Sequence, residues 1–310
     1  GAASYKSDIM GNYIGLYAGY SPRTRSAGSS GGILTWVLKK LLTDKLIDAA
    51  ICVEPTDNPE QRFRYVIIKN CRKILTCGKS AYYPVTLGEV LTHVRRNEGR
   101  YAITGVPCFH KALRSLRSVD PVLDNRLRFQ IGLVCGQMKS SFYADYLIRL
   151  AGLDPSETGE VCFRKKNPDG KANEYLFTAK SIRDEGEIGQ VSNSFIGNNW
   201  AMGFFKPSAC DYCDDVFAET ADLVAMDAWL PQYLLDGRGW TLIISRHPEL
   251  QYLLDLGNKS GELVLESVTE NQVIASQKGA LNHRRIGLRY RLHVKQKRNE
   301  WAPIKRVAPS

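Results

Sequence analysis

Cys210 and Cys213 stand in a C-x2-C spacing, in which a tight turn lets two thiolates point at one metal centre. The same spacing serves zinc, iron–sulfur clusters and thioredoxin-like redox pairs, so it sets a class of chemistry. A thioredoxin-like pair favours a helix entrance after a strand, whereas here Lys206-Pro207-Ser208 precedes it. A four-cysteine site needs two more thiolates, and the chain has eight cysteines, at 52, 71, 77, 108, 135, 162, 210 and 213. Disulfides are a poor account of them: 310 residues build a core without staples, and no export signal is visible. Cys108 and Cys135 each close a strand-like run and are the best placed partners, with Cys77, beside Gly78 and Lys79, as their rival. Cys52, Cys71 and Cys162 lie in or beside apolar strand patterns and read as small buried hydrophobes. Spacing leaves iron–sulfur, zinc and no metal all open.

The second feature with chemical potential is Gly28-Ser29-Ser30-Gly31-Gly32, followed by a helix-like run from Ile33 to Leu46. Such a loop leaves backbone N–H groups free to meet an anion. A plain helix-entry turn is the simpler reading of it, as a solvated side chain is of Lys79. His110, after the Cys108 loop, reads as a helix-surface or packing residue, and no catalytic acid or base stands out.

These residues need elements to hold them. Leu34, Val37, Leu38, Leu41 and Leu42 share one helical face. Strands are predicted at 48–53, 65–69, 101–104, 128–134, 173–178, 222–226 and 240–245, and helices at 87–94, 111–116, 140–150 and 247–256. Residues 152–172 read as a connection or long hairpin. Two strands thus end at a cysteine and precede a helix, and the carboxyl ends of strands are where α/β proteins gather ligands.

Composition bounds the rest. With 44% hydrophobic and 24% charged residues the chain is globular, with no apolar run long enough to span a membrane. The opening Gly-Ala-Ala-Ser has neither a basic leader nor an apolar core, which argues against a retained signal peptide and for a cytoplasmic protein. The net charge of +10 is local: from Arg284 onward nine Lys or Arg face one acid, Glu300. A basic, solvated extension is the simplest reading of this tail. Docking of an acidic partner or an anionic surface comes next, and nucleic acid is not expected, because no recognised module accompanies the charge.

Taken in order, Ser29-Ser30-Gly31-Gly32, Lys79-Ser80-Ala81-Tyr82-Tyr83-Pro84-Val85, Gly105-Val106-Pro107-Cys108, Gly132-Leu133-Val134-Cys135, Cys210-x2-Cys213, the run from Ala221 to Trp229, and Gly239-Trp240-Thr241 resemble the coenzyme F420 hydrogenase/dehydrogenase beta-subunit family. The resemblance covers about residues 10–260 and is that of a bacterial-type member lacking an N-terminal ferredoxin-like segment. It implies an α/β (α+β mixed) fold of mixed β-sheets flanked by helices. Three parts follow: an α/β flavin-binding region at 10–95, a domain carrying the cluster cysteines at 96–260, and a basic C-terminal extension at 261–310. It also implies FAD and a [4Fe–4S] cluster. Carried across, the cluster ligands would be Cys108, Cys135, Cys210 and Cys213. Ser29, Ser30, Gly31, Gly32 and Thr35 would line the FAD site, with Lys79, Tyr82, Thr104, Gly105 and Pro107 approaching the flavin or its phosphates, and Asp227 and Trp229 beside it. Met226-Asp227 replaces the glycine-aspartate common at this family position. The implied activity is an FAD-dependent iron–sulfur oxidoreductase working with a redox partner protein or a low-molecular-weight electron carrier, deazaflavin-like or unknown, with homo-oligomers allowed. A non-catalytic electron-transfer subunit and a zinc-stabilised binding protein are the competing classes.

Overall fold

The computed structural model describes residues 4–183 and 188–309. Its strands, in chain order, are β1 (Gly15–Tyr20), β2 (Ala49–Pro55), β3 (Phe63–Ile68), β4 (Tyr101–Gly105), β5 (Leu127–Leu133), β6 (Thr158–Lys166), β7 (Tyr175–Ser181), β8 (Ile188–Ser192), β9 (Leu223–Asp227), β10 (Thr241–Ser245) and β11 (Val264–Ser267). Its helices are α1 (Ile33–Thr43), α2 (Gly88–Arg96), α3 (Pro107–Arg117), α4 (Pro121–Arg126), α5 (Phe142–Leu150), α6 (Pro231–Leu234), α7 (Pro248–Lys259), α8 (Glu270–Ser276), α9 (Lys278–Leu281) and α10 (Gly287–Lys297).

Eight strands form one mixed sheet in the order β11-β1-β10-β9-β5-β4-β2-β3. Its centre, β2, β4, β5 and β9, is parallel, and antiparallel strands extend both ends. The central runs are apolar almost without interruption because helices cover both faces. Ala50, Cys52 and Ala102 face α1 and α7, whose Trp36, Val37, Leu41, Leu250 and Leu254 close that core. Ala49, Ile51 and Ile103 face the opposite side, under Val90 and Val94 of α2, Leu113 of α3 and Leu123 of α4. Each such fully buried aliphatic side chain contributes about 1.5–3 kcal/mol of transfer free energy. A second, antiparallel sheet of β6, β7 and β8 packs with α5 through Phe63, Tyr143, Phe163 and Phe177. No helix among the described residues is long and apolar enough to cross a membrane.

The mixed α/β architecture is the one expected, and the parallel register explains the site. Gly105 pairs beside Gly132, and Leu133 beside Ala225, so the exits of β4, β5 and β9 lie on one edge. Strands from both sides of residue 95 share this sheet.

Three differences from the sequence reading matter. β1 escaped notice because its glycines hide the strand pattern. A Cβ at Gly19 would come within 2.1 Å of the Val264 carbonyl oxygen on β11, so close strand approach explains that residue. The helix read from Lys111 starts at Pro107, whose fixed φ suits a first helical position, and this puts Cys108 in the first turn. The basic tail is not a solvated extension. It folds into a π-helical turn at Asn282–Ile286 and α10, and buries Arg284, Leu288, Leu292 and Val307.

Candidate redox cofactor site

The serine–glycine loop is fastened to the sheet before it meets any ligand. The Gly31 N–H donates to Thr241 Oγ1 at 2.8 Å, and the Ser30 hydroxyl donates to the Trp240 carbonyl at 2.5 Å, so β10 holds the loop. Gly32 adopts φ 76°, and a Cβ there would come within 2.5 Å of the Thr24 carbonyl oxygen. Lys166 donates from one ammonium to the carbonyls of Arg25, Ser30 and Arg238, clamping loop to loop. Burial pushes its pKa down to about 7, with nearby Lys79 and Arg25 adding to the effect. On the other side the Ser29 N–H donates to the Gly78 carbonyl (3.1 Å), and Ser29 Oγ accepts from the Ser80 N–H (2.8 Å).

Together these segments wall a cavity of about 850 Å³ over the strand exits. Of the residues expected at a flavin, Ser29, Ser30, Gly32, Thr35, Lys79, Tyr82, Thr104, Gly105, Asp227 and Trp229 line it. Gly31 and Pro107 do not. Gly31 is spent on β10, and Pro107 is buried at the start of α3.

Several lining residues were invisible to motif reading. Arg164 ends inside the cavity in a two-pronged pair with Asp227 (2.6 and 3.0 Å), over the rings of Tyr175 and Trp229. Burial works against its charge, yet Asp227 and its other neighbours hold the pKa above the usual range. Lys139 is 1% exposed, donates to the Phe204 carbonyl at 2.7 Å and stands over Trp200. Burial, reinforced by Lys206, lowers its pKa to about 8. His283 also lines the cavity, where burial lowers its pKa to about 4. Three buried atoms of lining residues, Arg164 Nε, Gln137 Oε1 and His283 Nε2, have no hydrogen-bond partner. Such orphans are rare in folded proteins and are commonly met by a bound molecule or water. They, the size of the space and the cations Lys79, Lys139 and Arg164 all suit a large polar ligand carrying negative charge.

The cysteines meet at the same edge. Cys108 leaves β4 in the first turn of α3, Cys135 follows β5, and Cys210 and Cys213 sit on the 3-10 turn Ser208–Tyr212 and its exit. The Met138 N–H donates to Cys210 Sγ at 3.4 Å, joining the Cys135 loop to that turn. Desolvation raises the Cys108 thiol pKa, as do the neighbouring Cys213 and Cys210. Burial pushes Cys135 up to about 12; Arg284 opposes this, while Cys108, Cys210 and Cys213 add to it. The four are therefore electrostatic neighbours. Among the described residues, no three His, Cys, Asp or Glu side chains close tightly enough to grip a single metal ion. Between Cys135 and Cys213 lies the guanidinium of Arg284, which donates to both sulfurs. Cys77, the rival ligand, instead packs against the α1-facing core beside Cys52, whose proximity holds its pKa down.

Residues 98–271 match the C-terminal part of the coenzyme F420 hydrogenase/dehydrogenase beta subunit, and residues 16–92 match the N-terminal part. The chain belongs to this family. Membership places it among redox proteins. Over 241 residues it is 24% identical to the coenzyme F420-dependent sulfite reductase of Methanocaldococcus jannaschii, covering 72% of this chain and 34% of that protein. The chain thus spans about a third of the length of that curated relative. Its fold matches a chain of the F420-reducing [NiFe] hydrogenase complex from Methanosarcina barkeri with a TM-score of 0.71. That match is 17% identical in sequence and covers 96% of this chain and 98% of the other.

The family match ends at residue 271, so the segment that brings Arg284 to the cysteines lies beyond it. Its only sequence signal was apolar spacing within the basic run, at Leu288 and Leu292. These side chains pack with Val307 and Tyr212, docking the segment on the cysteine turn. Part of the acid that the tail's charge calls for is internal. Arg306 reaches Glu219 at 2.6 Å, and Arg291 reaches Asp211 at 3.5 Å.

Proposed function

We propose that this family member is an FAD- and [4Fe–4S]-dependent oxidoreductase, moving electrons between a flavin-reactive carrier and a redox partner. The observation that carries this reading is the place of Cys135. It lines the cavity behind the serine–glycine loop and is also an electrostatic neighbour of the other three thiols. Two candidate cofactor positions therefore share Cys135, an arrangement that suits direct electron exchange. When bound, the flavin supplies conversion between paired and single electrons, and the cluster supplies the single-electron relay.

The chain's own residues do the holding. Ser29, Ser30 and Gly32 offer a preformed edge, and Lys79 and Lys139 offer positive charge to a pyrophosphate. Arg164, held by Asp227, presents its free Nε to the ligand. Tyr82 and Trp229 supply aromatic walls, and Cys108, Cys135, Cys210 and Cys213 would hold the cluster iron. A deazaflavin is the favoured carrier, since the names of both relatives specify F420. The alternative of a relay subunit draws on the chain's coverage of a third of its longer relative, which leaves room for catalysis in another polypeptide segment.

An anaerobic absorption spectrum with flavin, iron and acid-labile sulfide analysis tests the cofactors. Flavin bands with about four iron and four sulfide per chain are expected. Zinc alone, with no flavin taken up on reconstitution, would make it a zinc-stabilised binding protein. Turnover of reduced deazaflavin by the isolated chain with an artificial acceptor separates the enzyme from the relay.

A further inference from the structure

We infer that Arg284 is a positioning residue for the cysteine site, supplying a fixed counter-charge that holds the thiolate sulfurs and raises the reduction potential of the cluster they bind. The inference rests on the [4Fe–4S] reading above. Arg284 is 2% exposed. Its Nε donates to the Gly136 carbonyl at 3.0 Å and its Nη1 to the Asp215 carbonyl at 2.9 Å. The same group donates to Cys213 Sγ and, through Nη2 at 3.5 Å, to Cys135 Sγ. One planar group thus bridges two thiols that stand 78 residues apart in sequence (135 to 213).

Charge balance makes the contact more than packing. A buried guanidinium stays ionised, and burying it without an anion costs several kcal/mol. Its neighbours on the same segment have carboxylates: Arg285 and Arg306 pair with Glu219, and Arg291 with Asp211. Among the described residues no carboxylate lies within ion-pair distance of Arg284. The anions it faces are the cysteine sulfurs, which carry negative charge when they ligate metal.

The local backbone suits this task. Arg284 lies on the π-helical turn between α9 and α10, an element frequent at functional sites because the extra residue re-aims a side chain. Leu288, Leu292 and Val307 anchor the segment on Tyr212, and the Arg291 Nε donates to the Asp211 carbonyl at 3.0 Å, within the cysteine turn.

A cluster bound by four thiolates is anionic and gains one more negative charge on reduction. A fixed positive charge with N–H···S bonds favours the reduced state, so its loss lowers the potential.

The test uses the full chain, reconstituted anaerobically, as wild type, Arg284→Lys, Arg284→Gln, Arg284→Met and, as control, Arg289→Gln at an exposed position of the same segment. Iron and sulfide are counted first, and each loaded protein is then titrated potentiometrically by electron paramagnetic resonance. Arg284→Gln and Arg284→Met should shift the oxidised-to-reduced ratio at fixed potential at least tenfold toward the oxidised form, about 59 mV for a one-electron couple. Arg284→Lys should shift it by less than half as much, and Arg289→Gln should leave it unchanged. If the two neutral variants lose iron while Arg284→Lys keeps it, the charge requirement is equally upheld. Wild-type potential in a loaded neutral variant would overturn the inference, as would equal loss of iron in all three. A wild-type chain that takes up flavin but no iron and sulfide defeats the cluster reading itself, and that result appears before any variant is examined.

Discussion

The two walls of the cavity are built in opposite ways. The serine–glycine wall is contiguous in sequence, and its backbone is tied to β10, to residues 78–80 and to Lys166. The cysteine wall gathers its sulfurs from three separate stretches, cross-linked by an arginine from a fourth. Every thiol that comes to it is free of disulfide constraint. On the proposed reading the first wall is complete before its ligand arrives, whereas the second would be finished by the metal it binds, since metal affinity and thiolate geometry are coupled. Damage to the two walls should therefore have separable consequences.

The largest effect is expected at the cysteine wall. Cys210→Ser should remove most of the cluster iron, while Cys52→Ser, whose sulfur faces α1 and Cys77, should leave it in place. Flavin content should survive both. Iron and flavin assays on the same preparations check this, and loss of flavin with the iron would show that the walls form one unit. The reciprocal break is Gly32→Val. The residue's φ of 76° and the 2.5 Å approach to the Thr24 carbonyl oxygen leave no room for a branched side chain. A conformation of this kind costs about 1–3 kcal/mol for a non-glycine residue. Flavin affinity measured by fluorescence titration should fall at least tenfold with iron content retained.

The same contrast decides what could be read from sequence. Contiguous motifs carried the serine–glycine wall because a short loop and its helix bring their own geometry. Strand exits at Cys108 and Cys135 were legible because apolar runs ending in a break mark a buried parallel strand. Arg164 was not legible: it lies in a segment that reads as a hairpin, and its meaning comes from Asp227, 63 residues later. Arg284 was hidden by its surroundings, since one buried arginine in a basic run looks like its solvated neighbours. Alternation of type along a chain reveals elements; a single ionic contact across the fold leaves no periodic trace.

Asp227→Asn probes the seam between the walls. It leaves Arg164, 5% exposed on its side chain, without a counter-charge. Removing one partner of a buried pair costs about 3 kcal/mol, so the chemical-denaturation midpoint should fall clearly. The Asp227 backbone carbonyl would still accept from Ser276 and Gln277, so local chain placement should persist. An unchanged midpoint would mean that Arg164 finds another anion.

The smallest effect belongs to His110, beneath the strand exit that serves both walls. The residue is fully buried, with Nε2 3.0 Å from the Ile131 carbonyl oxygen and Nδ1 3.0 Å from Gln130 Nε2. One contact takes a ring donor and the other a ring acceptor, so the partners assign the neutral tautomer protonated at Nε2. Burial lowers the pKa to about 4, with hydrogen bonds to Ile131 and Gly105 opposing. An unfolded histidine takes its proton near 6.5, so between about pH 6.5 and 4 the unfolded chain binds more protons than the folded one. The stability that His110 confers is complete above that window and is lost as the pH falls through it. At pH 5.5 the loss relative to pH 7.5 should be about 1 kcal/mol from this residue. Chemical denaturation at both pH values should show it in the wild type and not in His110→Gln. Equal pH dependence in the two proteins would mean that the imidazole charges in place, and the strand exit beneath both walls would then accommodate a proton without loss of stability.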